Sequence, residues 1–233
     1  MERAVSEQEI NILKPEIIRT KRKTITLQIQ ENGSLVVRAP FSADDEYIRN
    51  LIHKRRKWVE EKRRLVLERR RQRPEKKFVD GEGFLFLGRV HRLRIVNHDA
   101  LPLTFDNKEL LISRSSLRNA REVLMNWYRK KAGEIIRERV DHYASLTGAE
   151  YRKIRITRAR RRWGSCSSLG NLNFSWSLVM APLDIIDYVV VHEITHLTQK
   201  NHSKDFWKKV ESFIPDHKKR RAWLRENEYS LSL

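Results

Sequence analysis

Residues 189–197 read Val189-Val190-Val191-His192-Glu193-Ile194-Thr195-His196-Leu197. This apolar run carries two histidines four positions apart. At about 3.6 residues per turn their rings leave the same face of a helix, one turn apart. Two imidazoles so placed can bind one zinc ion, and Glu193, on the adjoining face, can take a proton from water at that ion. The alternative is a packed or capping histidine pair. It is disfavoured because an apolar helix rarely keeps two His and a Glu without a partner that offsets their desolvation.

A catalytic site needs a third protein ligand and a fourth position left open. His202 is the candidate, reached across Lys200-Asn201, where Asn tolerates the left-handed conformation that ends a helix and turns the chain back. The spacing equals that of the metzincin signature. However, Gln199 stands where that group has Gly, and Met1, Met125 and Met180 all precede the site, so no Met-turn follows it. Asn201-His202-Ser203 also reads as a simple cap for the next helix, through Ser203. His217 and His98 are weaker ligand candidates, and Glu211, Asp216, Glu226 or Glu228 could supply an oxygen ligand.

Working outward, Pro182 opens the helix that bears the motif, predicted from Leu183 to about Gln199, and helical patterns follow over roughly 203–213 and 218–227. Upstream, residues 152–160 and 171–179 predict two strands around the loop Trp163–Gly170, whose small residues suit a tight connection. A long helix is expected from about Leu117 to Leu146, closed by Gly148. Residues 78–112 predict three or four short strands. Before them, 23–30 and 35–39 form a hairpin across Glu31-Asn32-Gly33. Ser42 and Asp45 then resemble a capping box opening one long helix that runs to Pro74, with a face almost entirely Lys and Arg. The expected fold class is α+β, with a β-rich domain over 1–115 containing that basic helix and a metal-binding catalytic domain over 116–233.

Composition bounds the remainder. With 39% hydrophobic residues, six Trp, six Tyr and eight Phe, the 233-residue chain can pack a globular interior despite 34% charged residues. The single cysteine, Cys166, excludes an internal disulfide and a cysteine-based metal cluster, and reads as a small buried residue, not a nucleophile. No apolar run approaches the roughly 18 residues of a membrane span, and the amino terminus lacks a signal-peptide pattern, so a cytoplasmic protein with no membrane partner is expected. The net charge of +19 is concentrated in two segments: residues 53–77 hold thirteen basic and four acidic side chains, and 152–162 hold seven basic and none acidic. Nucleic acid or nucleotide is a reasonable partner for both, the alternative being a solvated helix face and a charged strand edge. Trp163, Trp176, Phe206 and Trp207 are read as core.

Arg162-Trp163-Gly164-Ser165-Cys166-Ser167, Asn173-Phe174-Ser175-Trp176, Asp187 through Glu193, and Asn201-His202-Ser203 with Phe206-Trp207 together resemble the YgjP-like metallopeptidase family and, more distantly, SprT-like proteases. The resemblance is densest over roughly 155–225. It implies a gluzincin-like zinc fold with His192, His196 and His202 as ligands, Glu193 as general base, and a peptide or protein substrate. Thr195 stands where the family commonly has Ala. In this reading the strand at 171–178 lies beside the motif helix and pairs with an extended peptide, with Arg162 or Asn173 as oxyanion stabiliser. Some members carry a UTP pyrophosphatase label, under which Arg158, Arg160, Arg161 and Arg162 would bind phosphates. A nucleic-acid-associated protein with a structural zinc is the third reading.

Overall fold

Alternating and continuous apolar runs settle into three small sheets, described in a computed structural model over residues 15–30, 32–71, 76–97, 101–159 and 162–233. The readings that involve Glu31, Pro74, His98, Asp99, Arg160 and Arg161 fall outside the described residues. The chain divides into two units, Met1–Glu75 and Lys76–Leu233.

In the first unit, β1 (Glu16–Thr20) runs parallel to β3 (Leu35–Pro40), and β2 (Thr26–Ile29) pairs with β3 antiparallel. The central place of β3 follows from its composition: Leu35, Val36, Val37 and Ala39 are all buried. The hairpin expected from sequence is present, whereas β1 was missed. Two helices replace the single long one. Helix α1 (Asp45–Lys54) is capped by Asp44, whose carboxylate accepts from the Tyr47 N–H, and not by a Ser42–Asp45 box. Arg55 leaves helical geometry (φ −101°, ψ 11°) before α2 (Arg56–Arg71). Ile48, Ile52 and Val59 bury against the sheet residues Leu35, Val37 and Ala39.

The second unit begins with a four-stranded sheet of order β4-β5-β7-β6: β4 (Gly83–Phe86), β5 (Arg89–Val96), β6 (Leu103–Phe105) and β7 (Glu109–Ser113). Leu87 and Gly88 make the β4–β5 turn, both at positive φ, and their N–H groups donate to the carbonyls of Val179 and Met180 at 2.8 and 3.0 Å. A Cβ at Gly88 would meet Pro182 Cγ at 2.6 Å. That docking is why the boundary falls at Glu75–Lys76 and not near residue 115: residues 76–113 share a hydrophobic core with the helices that follow.

A 3₁₀ turn (Arg114–Asn119) leads into α3 (Ala120–Thr147), ended by Gly148 in the left-handed conformation at φ 62°. The third sheet has the order β8-β10-β9, with β8 (Lys153–Thr157) parallel and β9 (Gly164–Cys166) antiparallel to β10 (Asn171–Ser175). After a second 3₁₀ turn (Trp176–Met180) come α4 (Leu183–Thr198), α5 (Lys204–Phe213) and α6 (His217–Asn227). Helix α4 packs against α3, α5, α6 and β9. Arg139 of α3 reaches the buried Asp187 of α4 bidentately, Nε to Oδ1 at 2.6 Å and the second donor to Oδ2 at 3.0 Å. Among the described residues no helix is long and apolar enough to cross a membrane.

Candidate metal centre

Because α4 is buried on nearly all sides, its polar residues are held by packing as much as by hydrogen bonds. From Ile185 to Val191 every residue is buried, as are Glu193, Ile194 and Thr195, while His192 and His196 are half-buried. Thr195 satisfies its hydroxyl by donating back to the Val191 carbonyl at 2.7 Å. The helix ends at Gln199 in an extended conformation (φ −114°, ψ 98°), and no residue of 199–202 adopts the left-handed conformation expected of Asn201. An extended residue turns the chain as effectively here because α5 starts at once: Ser203 accepts from the Phe206 N–H at 3.3 Å and caps it. The capping role of Ser203 and a ligand role for His202 are therefore compatible.

This geometry brings His202 back over the α4 pair. One ring nitrogen from each of His192, His196 and His202 lies within 4.8 Å of the others, and the Nε2 atoms of His192 and His202 are 3.1 Å apart. Nδ1 of His196 lies 2.9 Å from the Gln199 carbonyl. A carbonyl only accepts, so that nitrogen carries a proton and Nε2 is the atom left to ligate. Phe206, fully buried, backs the cluster with its ring centroid 4.9, 4.6 and 4.7 Å from those of His192, His196 and His202. Burial pushes His192 down to about 3, with the neighbouring His196, His202 and Arg221 charges adding to the effect. Burial, His196 and Arg221 also hold His202 low. Three imidazoles with one ring nitrogen each converging are the donor set a borderline cation such as Zn²⁺ requires, so these residues fit a metal.

Glu193 is the second element. Its carboxylate is 5% exposed and its Oε2 has no hydrogen-bond partner among the described residues. Burial pushes it up to about 8, opposed by the charge of Arg162. Its wall is Gly164 of β9, where a Cβ would come within 2.5 Å of Oε1, 2.6 Å of Cγ and 2.8 Å of Cδ. The sequence places Gly164 in a loop and in the Arg162–Ser167 motif without a role of its own, because its contact with Glu193 joins a strand and a helix some thirty residues apart and leaves no local signal.

Other candidates disperse. Glu211, Asp216, Glu226 and Glu228 are not in the histidine cluster, and Asp216 is paired with Arg220 at 2.8 Å. His217 is buried on α6 and stacks on Trp207. The amide of Asn173 donates to the Ser165 carbonyl and hydroxyl, both at 3.3 Å, so it braces β9 and is not poised as an oxyanion donor. Cys166 is half-buried, and burial holds its thiol above the usual range, as befits a packing residue. Trp163, Trp176 and Trp207 pack against the main core and Phe206 lies within it. The strand expected beside α4 is also different. β10 is the centre of its sheet, and the strand that meets α4 is β9.

No curated protein matches the sequence. Among solved structures, the metallopeptidase zymogen of Pyrococcus abyssi abylysin is 19% identical, with a TM-score of 0.36, over 39% of this chain and 93% of that one. The profile of the YgjP-like metallopeptidase domain matches residues 23–227, nearly the whole length, and the chain belongs to that family.

Proposed function

We propose that the chain is a zinc metallopeptidase in which His192, His196 and His202 hold the metal and Glu193 is the general base. The observation that carries this reading is the convergence of three imidazole nitrogens beside a buried carboxylate, in a member of a metallopeptidase family. Zinc at the triad would supply Lewis acidity, polarising a substrate carbonyl and acidifying water. Glu193 accepts the proton of the attacking water, holds it in a pocket that tolerates a neutral carboxyl, and passes it to the departing amide nitrogen as the C–N bond breaks. Arg162, whose charge is felt at Glu193, is assigned to the oxyanion that forms on the carbonyl oxygen.

Strand β9 supplies a means of holding the substrate. Trp163 accepts from the Ser175 N–H at 2.8 Å and Ser167 donates to the Asn171 carbonyl at 2.9 Å, so the inward-bonding residues along this segment are 163, 165 and 167. By alternation, the N–H and C=O groups of Gly164 and Cys166 face the other way. Among the described residues no strand pairs with that edge. An extended peptide added there would run directly past Glu193, which Gly164 touches.

The test compares wild type with Glu193→Gln for metal content, peptide cleavage and pyrophosphate release from nucleoside triphosphates. The reading expects about one zinc per chain in both proteins and peptide cleavage in the wild type only. It fails if purified protein holds no stoichiometric zinc and His192→Ala leaves metal content unchanged, or if nucleotides, not peptides, are turned over.

A further inference from the structure

Helices α5 and α6 enclose an open cavity of about 450 Å³ next to the triad, and the metal centre uses none of its charges. Lys204 and Lys208 line it from α5, four positions apart, and Lys218 and Arg221 line it from α6, three apart. Like charges at these spacings repel along each helix. None of the four has a carboxylate within ion-pair distance among the described residues. One acid, Glu211, shares the wall.

The cavity also has a built floor. Trp207 and His217 stack there, with centroids 5.2 Å apart and planes at 18°. His217 is 4% exposed, and its buried Nδ1 has no hydrogen-bond partner among the described residues. Trp207 connects this floor to the metal centre, stacking on His202 at 5.7 Å and 27°, and Arg221 lies 5.5 Å over the same indole. The charge of Arg221 is felt at His192, His202 and Tyr188. The cavity therefore begins one aromatic ring from the triad.

We propose that the α5–α6 cavity is a subsite that binds a carboxylate of the peptide substrate and makes this a peptidase with a preference for acidic substrates. The proposal rests on the metallopeptidase reading. A carboxylate from an Asp or Glu side chain and one from a peptide C-terminus present the same chemistry, and the Trp207 face gives the aliphatic stem of either an apolar wall. A short cluster of four cations with Glu211 in its wall suits one compact anion better than the continuous backbone of a nucleic acid, which needs an extended basic track.

The experiment uses the full chain loaded with zinc and a set of otherwise identical quenched fluorescent peptides. Each carries Glu or Gln at one position, with the C-terminus as free acid or amide. Wild type is expected to cleave one Glu peptide, or the free-acid series, with kcat/KM about tenfold to a hundredfold above its neutral partner, as a charge-assisted contact implies. Which series shows the gain identifies the carboxylate's source. In Lys208→Glu/Lys218→Glu the preference should reverse in favour of a Lys-bearing peptide at the same position.

A parallel titration of Glu193→Gln with the same peptides reads binding without cleavage. Cleavage with no charge preference overturns the subsite and leaves the peptidase reading intact. Charge-dependent binding that the double variant reverses, without cleavage by wild type, supports the cavity as a carboxylate site and removes the peptidase reading. If acidic peptides gain nothing while a single-stranded oligonucleotide binds with a steep salt dependence, the cavity belongs to nucleic acid and the proposal falls.

Discussion

Gly164 lies flush against Glu193: a single methyl group on the strand would overlap Oε1, Cγ and Cδ of the buried carboxylate. The overlap reaches the stem of the side chain, so rotation of the carboxyl group cannot relieve it, and either Glu193 or β9 must shift. Gly164→Ala should keep its metal, because the three histidines lie on α4 and on the turn into α5. Turnover should fall about a hundredfold, the cost of displacing a reacting group by around an ångström. Metal analysis beside kcat checks this, and undiminished turnover with full metal would show that Glu193 does not need its observed position.

The same contact shows how far the sequence could be read. His192, Glu193 and His196 were legible because helical spacing alone puts them together, and the structure has them on the helix predicted. The place of His202 depends on the turn, which spacing does not define: a left-handed Asn201 is expected from sequence, whereas Gln199 turns the chain in an extended geometry. β9 was hidden because three residues, Gly164-Ser165-Cys166, carry no alternation of apolar and polar side chains, and their strand character comes from pairing with β10. The domain boundary was misplaced for a related reason. The contacts of Leu87 and Gly88 with Val179 and Met180 join segments about ninety residues apart, beyond any local pattern.

Under the proposed function, the exposed position of His202 lets metal binding be separated from folding. Replacing it with Ala removes a donor without opening the core, so the variant should fold while its metal affinity drops. Zinc that binds only the folded state at a hundred times its Kd adds about 2.7 kcal/mol. Chelation should therefore lower the Tm of wild type by roughly 5–10 °C, given about 2–4 °C per kcal/mol for a chain of this size. His202→Ala should melt near the chelated wild type and respond little to chelator in a thermal scan.

Arg139 and Asp187 hold α3 to α4 through two charge-assisted hydrogen bonds, with side chains only 18% and 12% exposed. Removing either partner leaves the other charge buried and unpaired, a loss of about 3–5 kcal/mol. Arg139→Met or Asp187→Leu should each lower the urea midpoint strongly. The double variant should recover much of that loss, because well-packed apolar residues avoid the desolvation of both ions. Equal, additive losses in the cycle would show that the pair is not coupled as its geometry indicates.

The open edge of β9 makes a prediction that the active-site residues do not. If Gly164 and Cys166 direct their main-chain groups away from β10, proline at 166 removes one outward N–H and spares the bonds that Trp163 and Ser167 make with β10. A peptide that pairs with this edge then loses one hydrogen bond, worth about 0.5–1.5 kcal/mol, so Cys166→Pro should raise KM about twofold to tenfold with metal content unchanged. A short substrate that spans only the scissile bond has no main chain to lay on the strand and should be cleaved as in wild type. Measuring both substrates distinguishes edge pairing from general damage: parallel losses on the two would mean that the proline has disturbed Glu193, and an effect on the long peptide alone would mean that the substrate is held as an added strand.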